Sequence, residues 1–172
     1  PAQETVLDTI TGGSLSHFDV TEFTVNFDVS NDVDTIFFNL VFGSDEYAEF
    51  IGSSFIDAFG IFLNGNNQTL VGGLPININH PDMASLTGTE LDGILAPNGT
   101  ALLQFALDVT PGSTDNILNF IIADSGDTAL DSTVYISGIG SVPPDQDIPA
   151  PATALLLGLG LISMGYKRRR KI

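Results

Sequence analysis

The sequence predicts an all-β domain, a two-sheet β-sandwich of jelly-roll type, followed by a Pro-rich linker and one short C-terminal transmembrane helix. From residue 17 onward, short runs of β-branched and aromatic residues alternate with Gly, Asn and Asp, as in a sandwich. No apolar stripe with a 3.6-residue period extends over ten residues in this body. The chain has 172 residues, enough for one domain of about 150 residues with a short appendage.

The individual strands follow from the apolar pattern. Phe23, Val25, Phe27 and Val29 alternate with polar residues, which predicts a strand with one dry face. Residues 35–42 are apolar on both faces and predict a central strand. Further strands are predicted at residues 58–63, 68–72, 101–109, 116–123 and 132–139, with turns at 64–67, 97–99 and 111–113. Residues 73–95 are expected to form a long loop with a minor strand or one helical turn near residues 82–86.

Charge is distributed very unevenly along the chain. All five basic residues occupy positions 167–171, whereas all 21 carboxylates lie between Glu4 and Asp147. The body therefore has no Lys or Arg, and we expect no salt bridge inside it. Nucleic-acid binding by the body is excluded, because it depends on Lys and Arg neutralising phosphates. The absence of Cys excludes disulfides, thiolate zinc sites and cysteine nucleophiles.

The composition changes at residue 141 and divides the chain into four parts. Residues 1–140 form the predicted sandwich, 141–151 a Pro-rich linker, 152–166 an uncharged apolar segment and 167–172 a basic tail. A helix over the apolar segment is about 22 Å long, a marginal membrane span. The flanking cations, Lys167, Arg168, Arg169, Arg170 and Lys171, predict a cytoplasmic tail and an acidic domain outside the cytoplasm. The alternative is a core helix of a soluble protein followed by a basic tail.

The tail resembles a known sorting signal. Pro149, Ala150 and Pro151, the apolar segment and the Arg cluster are similar to the PEP-CTERM domain of Gram-negative bacteria, although Ala150 replaces the usual Glu. The resemblance implies an exosortase-like membrane protease as a partner. It also implies transient anchoring in the inner membrane, followed by release to the cell surface or extracellular matrix.

The body has a resemblance of its own, over about residues 5–140. Phe-Gly-Ser-Asp-Glu-Tyr at 42–47, Phe-Ile-Gly at 50–52, the run at 55–63 and the block at 121–136 resemble the choice-of-anchor L domain. This resemblance implies a bacterial surface-protein module with varied C-terminal anchors. It implies no particular enzymatic activity.

Two acidic clusters follow predicted buried strands and form the candidate site. Like charges this close repel unless a cation bridges them or one of them binds a proton. Ca²⁺ is the expected cofactor, because it takes six to eight oxygen ligands and thiolates are absent. The alternative is that these residues form Asx-turns or cap backbone donors. The predicted metal ligands are Asp45, Glu46, Asp57, Asp124, Asp127 and Asp131.

Three functions are compatible with these features. The first is a noncatalytic exported surface or matrix protein, stiffened by Ca²⁺ and acting in adhesion, envelope coating or exopolysaccharide association. The second is a carbohydrate-binding module in which Tyr47 contacts a glycan beside a bound ion. The third is a glycoside hydrolase, which would need two carboxyl groups about 5 to 9 Å apart. His17 and His80 have no obvious Ser partner and are expected to be surface or turn residues.

Overall fold

The computed structural model describes residues 2–11, 13, 15–85, 98–100 and 102–144. Within these residues the chain forms one helix and two antiparallel sheets, and the helix packs on one of the sheets. The sequence-predicted sorting motif, apolar helix and basic tail lie outside the described residues. In chain order the elements are α1 (Ala2–Thr11), β1 (His17–Phe27), β2 (Thr35–Ser44), β3 (Ala58–Leu63), β4 (Asn66–Asn67), β5 (Met83–Ser85), β6 (Asn98–Thr100), β7 (Leu103–Asp108), β8 (Asn116–Ser125) and β9 (Ser132–Gly140).

The strands divide into two sheets that are antiparallel throughout. The first sheet has the order β1-β8-β3-β4. In the second sheet, β9 pairs along one edge of β2, while β7 and then β6 pair along the other edge, and β5 pairs with β6. The two-sheet arrangement and the central position of β2 are therefore confirmed. Jelly-roll connectivity stays a prediction.

The core lies between the two sheets and is rich in phenylalanine. The Phe38 ring stacks on Phe105 of the neighbouring strand, with ring centroids 5.0 Å apart. Its edge meets Phe120 of the opposite sheet at 5.3 Å and 87°. Edge-to-face and offset pairs of this kind are the favoured aromatic geometries. The apolar alternation read from the sequence thus fills the space between the sheets, as expected of a sandwich.

Most of the predicted strands are confirmed, and β3 matches its predicted bounds of 58–63. The prediction of a strand at 68–72 is wrong. Asn64 and Gly65 form a two-residue turn with positive φ angles, and β4 then covers only Asn66–Asn67. After it, the Thr69 hydroxyl takes the place of a strand partner by accepting a hydrogen bond from the Ile61 N–H at 2.8 Å. Near residues 82–86 the minor strand is observed, as β5.

The N-terminal helix α1 was not predicted, and it corrects the all-β expectation. Leu7 and Ile10 are buried and pack on Phe62 and Ile121, on the outer face of the first sheet. The apolar face of α1 consists of only these few residues, which is too few to give a recognisable helical periodicity in the sequence. A ten-residue helix is marginal by itself in water, so this packing is what stabilises it.

No helix within the described residues is long and apolar enough to cross a membrane. The predicted span at 152–166 lies outside the described residues.

Replacing Leu7 with Ala tests whether α1 is an integral layer of the fold. Leu7 is completely buried, so we expect Leu7→Ala to lower the free energy of unfolding by about 2 to 4 kcal/mol through lost contacts and a cavity. Thr5→Ala, at an exposed position of the same helix, is the matched control. Urea unfolding followed by circular dichroism measures both variants. Equal stability of the two would show that α1 does not contribute to the cooperative unit.

Candidate functional site

The strand register gathers several acidic residues at one end of the sandwich. Ser44, at the end of β2, pairs with Ser132, at the start of β9. In the other sheet, Ala58 pairs with Ala123, which places Asp57 beside the end of β8 and its Asp124. The β2–β3 connection and the β8–β9 connection therefore meet at the same end. We call Glu46, Asp57, Asp124 and Asp127 at this end the carboxylate cluster.

Asp57 is the anchor of the cluster and is almost fully buried. Its Oδ2 accepts hydrogen bonds from the hydroxyls of Ser44, at 3.1 Å, and Ser132. Burial raises the pKa of the Asp57 carboxyl, whereas these two hydroxyls and the Ser125 backbone N–H counteract the rise. Because Ser44 and Ser132 belong to one sheet and Ser125 to the other, Asp57 links the two sheets.

Glu46 lies beside Asp57 and is 1% exposed. Its carboxylate accepts a hydrogen bond from the Asp57 backbone N–H, but Oε2 is buried without a hydrogen-bond partner. Burial, followed by repulsion from Asp57, Asp127 and Asp124, raises the pKa of Glu46 to about 7. An unpartnered buried oxygen is costly, so this side chain is poised to hold a proton or a cation.

Asp124 borders a polar pocket of about 280 Å³ that Asp19 and Asp131 also line. Burial, then repulsion from Asp57, Asp19, Asp131 and Asp127, raises the pKa of Asp124 to about 6. Asp19 was missed by sequence reasoning. It sits at a pairing irregularity between β1 and β8 with φ at 48°, and nothing in the local sequence marks this conformation.

Three predicted site residues make hydrogen bonds to groups outside the cluster: Asp45, Asp127 and Tyr47. Asp45 is exposed, and its backbone N–H donates to the Asp131 carbonyl at 3.1 Å. Asp127 accepts from the Ala129 backbone N–H at 3.1 Å, which is the Asx-turn alternative realised at this residue. Tyr47 is half-buried against the core and its hydroxyl donates to the Met83 carbonyl at 3.1 Å. Tyr47 thus supports the fold, and a ligand contact there stays a prediction.

A glycine allows the two acidic connections to approach closely. Gly126 has φ at 104°, and a Cβ on it would come within 2.5 Å of the Ser54 carbonyl oxygen. Its N–H donates to the Ser16 carbonyl at 3.1 Å. Any other residue would push the β8–β9 connection away from residues 53–57. Gly126 therefore holds Asp124 and Asp127 near Asp57.

Both histidines are buried, which corrects the expectation of surface residues. His17 Nδ1 lies 2.7 Å from the Ser125 hydroxyl, and its Nε2 lies 3.7 Å from Asp8 Oδ1. His80 does occupy a turn, as predicted, with Nδ1 3.7 Å from Asp82 Oδ2. These two contacts become ion pairs when the imidazole is protonated. The expectation of no salt bridge inside the body is therefore corrected for these two His–Asp pairs.

Within the described residues, no group of three or more Asp, Glu, His or Cys side chains is already arranged to hold a metal ion. The cluster supplies carboxylate and hydroxyl oxygens, the donor type that Ca²⁺ prefers. Ser hydroxyls and backbone N–H groups donate hydrogen bonds to the buried carboxylates, and the raised pKa values of Glu46 and Asp57 favour their protonated forms.

The fold and the site together define an acidic two-sheet β-sandwich whose charged groups concentrate at one end. The family model of the Choice-of-anchor L domain matches residues 2–141, and the chain belongs to this family. Membership places it among cell-surface-associated proteins, in a family of generally noncatalytic domains. No curated protein and no solved structure matches the chain.

The raised pKa values predict that stability falls as pH increases. Between the ordinary value of 4.5 and about 7, folded Glu46 binds a proton that the unfolded chain releases. The free energy of unfolding therefore decreases through this window and is level above it. With EDTA present, we expect a loss of about 1 to 2 kcal/mol after allowing for solvent screening.

Glu46→Gln should remove the part of this pH dependence that lies between about pH 6 and pH 7, because the amide carries no charge at any pH. Asp124, whose pKa is raised to about 6, should keep its part at lower pH. Asp108→Asn, an exposed position at the opposite end of the sandwich, should keep the whole dependence. Thermal unfolding between pH 4 and pH 8 measures the three profiles. A Glu46→Gln profile that matches the other two would contradict the role given to this carboxyl.

Proposed function

We propose that this protein is exported and acts without catalysis at the cell surface or in the extracellular matrix, in adhesion or exopolysaccharide association. Delivery uses a PEP-CTERM-type tail that an exosortase-like protease cuts after transient anchoring in the inner membrane. The observation that carries the proposal is a choice-of-anchor L sandwich with no Lys or Arg before residue 167. Such a surface is strongly anionic and repels anionic partners such as nucleic acid.

The state of the buried carboxylates supports a noncatalytic role. Glu46 and Asp57 are each 1% exposed, and Asp57 is occupied by the hydroxyls of Ser44 and Ser132. A glycosidase needs its two carboxyl groups on either side of the scissile bond of a bound sugar. Buried carboxyls that are hydrogen-bonded within the protein suit a structural role better.

We further propose that Ca²⁺ stabilises this end of the sandwich. The support is the unpartnered Oε2 of Glu46 and the mutual repulsion of Glu46, Asp57, Asp124 and Asp127. A divalent cation would relieve this repulsion in place of a proton, and binding would draw the loop carboxylates inward. Calcium binding and protonation of Glu46 are then competing events.

Calcium titration of the EDTA-treated full chain tests this proposal. A ligand that binds only the folded state stabilises it by about 2.7 kcal/mol at one hundred times its dissociation constant. We expect Ca²⁺ to raise the melting temperature at pH 8 more than at pH 5, because protonated carboxyls bind cations poorly. Differential scanning calorimetry provides the measurement, with Mg²⁺ as a comparison ion.

Glu46→Gln should reduce the calcium-induced shift, and the matched control Asp108→Asn should not. No shift up to millimolar Ca²⁺, or equal shifts in both variants, would refute a calcium site at the cluster. The pH profile predicted in the absence of metal would still stand.

The sorting proposal is tested by deleting residues 167–171. Because the positive charges orient the apolar segment, we expect the deletion to reduce surface display. Antibody labelling of intact and permeabilised cells measures the fraction outside. A variant with the five residues replaced by Lys alone keeps the charge and should be displayed normally. Unchanged display of the deletion variant would count against the sorting tail.

A further inference from the structure

Among the described residues, no segment covers the side of the sandwich between the edge strands β1 and β9. Three cavities follow one another there, with volumes of about 410, 290 and 280 Å³. The first contains Phe27 and Ile139, the second Phe23 and Ile136, and the third Asp19 and Asp131. We call this row of cavities the β1–β9 groove. β1 and β9 run in the same direction along it.

The opposite side of the sandwich is closed by the chain itself. Between β4 and β5, the side chains of Ile76 and Ile78 are buried, and Ile76 joins Met83 in the main core. Phe23, in contrast, is 55% exposed although its ring stacks on the core residue Phe120 at 6.1 Å. An inward-facing phenylalanine with this exposure indicates that an apolar surface continuous with the core is left uncovered by the described part of the chain.

The walls of the groove are two strand edges. Among the described residues, β1 pairs only with β8 and β9 pairs only with β2. Each outer edge therefore presents backbone N–H and C=O groups that a further strand can pair with. The pairing of β1 is interrupted between Phe18 and Thr21, whereas β9 is in regular register from Ser132 to Ser137. β9 is the better template for an added strand.

The two ends of the groove differ in charge. Phe27, Val29 and Ile139 line the cavity at one end, together with Asp28. Asp19, Asp124 and Asp131 line the cavity at the other end. Since residues 1–166 contain no Lys or Arg, the chain's own sandwich has no such cation to place there. Charge complementarity therefore calls for a basic group on the molecule that fills this end.

We propose that the β1–β9 groove binds an extended peptide strand of a partner protein, which adds antiparallel to β9. About eight residues at about 3.3 Å each match the length of the groove. Alternate apolar side chains of the peptide enter the cavities beside Phe23 and Ile136. Because the acidic end lies at the start of β9, an antiparallel strand places its C-terminal Lys or Arg there. The proposal goes beyond the surface role above and depends on neither calcium nor the sorting tail.

The test uses the full chain and a fluorescent, C-terminally amidated peptide of alternating valine and threonine that ends in two lysines. Fluorescence anisotropy at low ionic strength measures its dissociation constant. Phe23→Asp should weaken binding about tenfold or more, as loss of a central apolar contact does. Leu70→Asp is the matched control, because Leu70 is 56% exposed but lies on the opposite side. This variant should bind within about twofold of the unmodified chain.

Three altered peptides make the proposal specific. Methylating alternate backbone nitrogens should abolish binding, because strand addition depends on main-chain hydrogen bonds. Replacing the lysines with glutamates, or moving them to the N-terminus, should each weaken it. Circular dichroism verifies that the variants are folded.

Absence of binding, binding that survives backbone methylation, or equal loss in Phe23→Asp and Leu70→Asp would overturn the proposal. Equal affinity with lysines at either peptide end would overturn the antiparallel assignment. A dimer that Phe23→Asp dissociates, without peptide binding, would instead identify a second copy of the chain as the occupant and reject the peptide.

Discussion

The buried carboxylate of Asp57 is the contact on which the acidic end of the molecule depends. It accepts hydroxyl hydrogen bonds from one sheet and a backbone N–H from the other. Asp57 also donates its own N–H to Glu46, so the position of the second carboxyl follows from the first. A buried polar network with its partners in place is rigid, whereas one with a missing partner is strained. The Asp57 carboxylate has its hydrogen-bond partners, whereas the neighbouring Glu46 Oε2 lacks one.

Away from this end, carboxylates accept hydrogen bonds from neutral N–H donors, whereas in most proteins Lys and Arg also serve as donors to carboxylates. The Asn119 amide donates to Glu22 Oε1 at 2.6 Å, and the Asp115 N–H donates to Asp28 Oδ1 at 2.9 Å. Hydrogen bonds to ionised acceptors are stronger than neutral ones, although they leave the net charge unchanged. The sandwich is therefore held together by core packing and local hydrogen bonds, and its long-range electrostatics oppose compaction.

The sequence was sufficient for the features that depend on local alternation and for those that a turn dipeptide marks. β1 was predicted because its apolar residues alternate with polar ones, and β2 because a short run of residues is apolar on both faces. Helix α1 could not be predicted, because it is stabilised by the packing of Leu7 and Ile10 on Phe62 and Ile121, which are distant in the sequence. At the site, the acidic residues were found by clustering. Their partners Ser44 and Ser132 were not found, because these hydroxyls reach Asp57 only through the strand register that pairs Ser44 with Ser132.

The confinement of every basic residue to positions 167–171 has a consequence for proteolysis at the cell surface. Proteases of trypsin specificity recognise a Lys or Arg side chain through an acidic specificity pocket. The first 166 residues contain neither, so the sandwich has no peptide bond that such enzymes accept, whether or not it is folded. Within residues 1–166, resistance to this class of protease is a property of the composition alone.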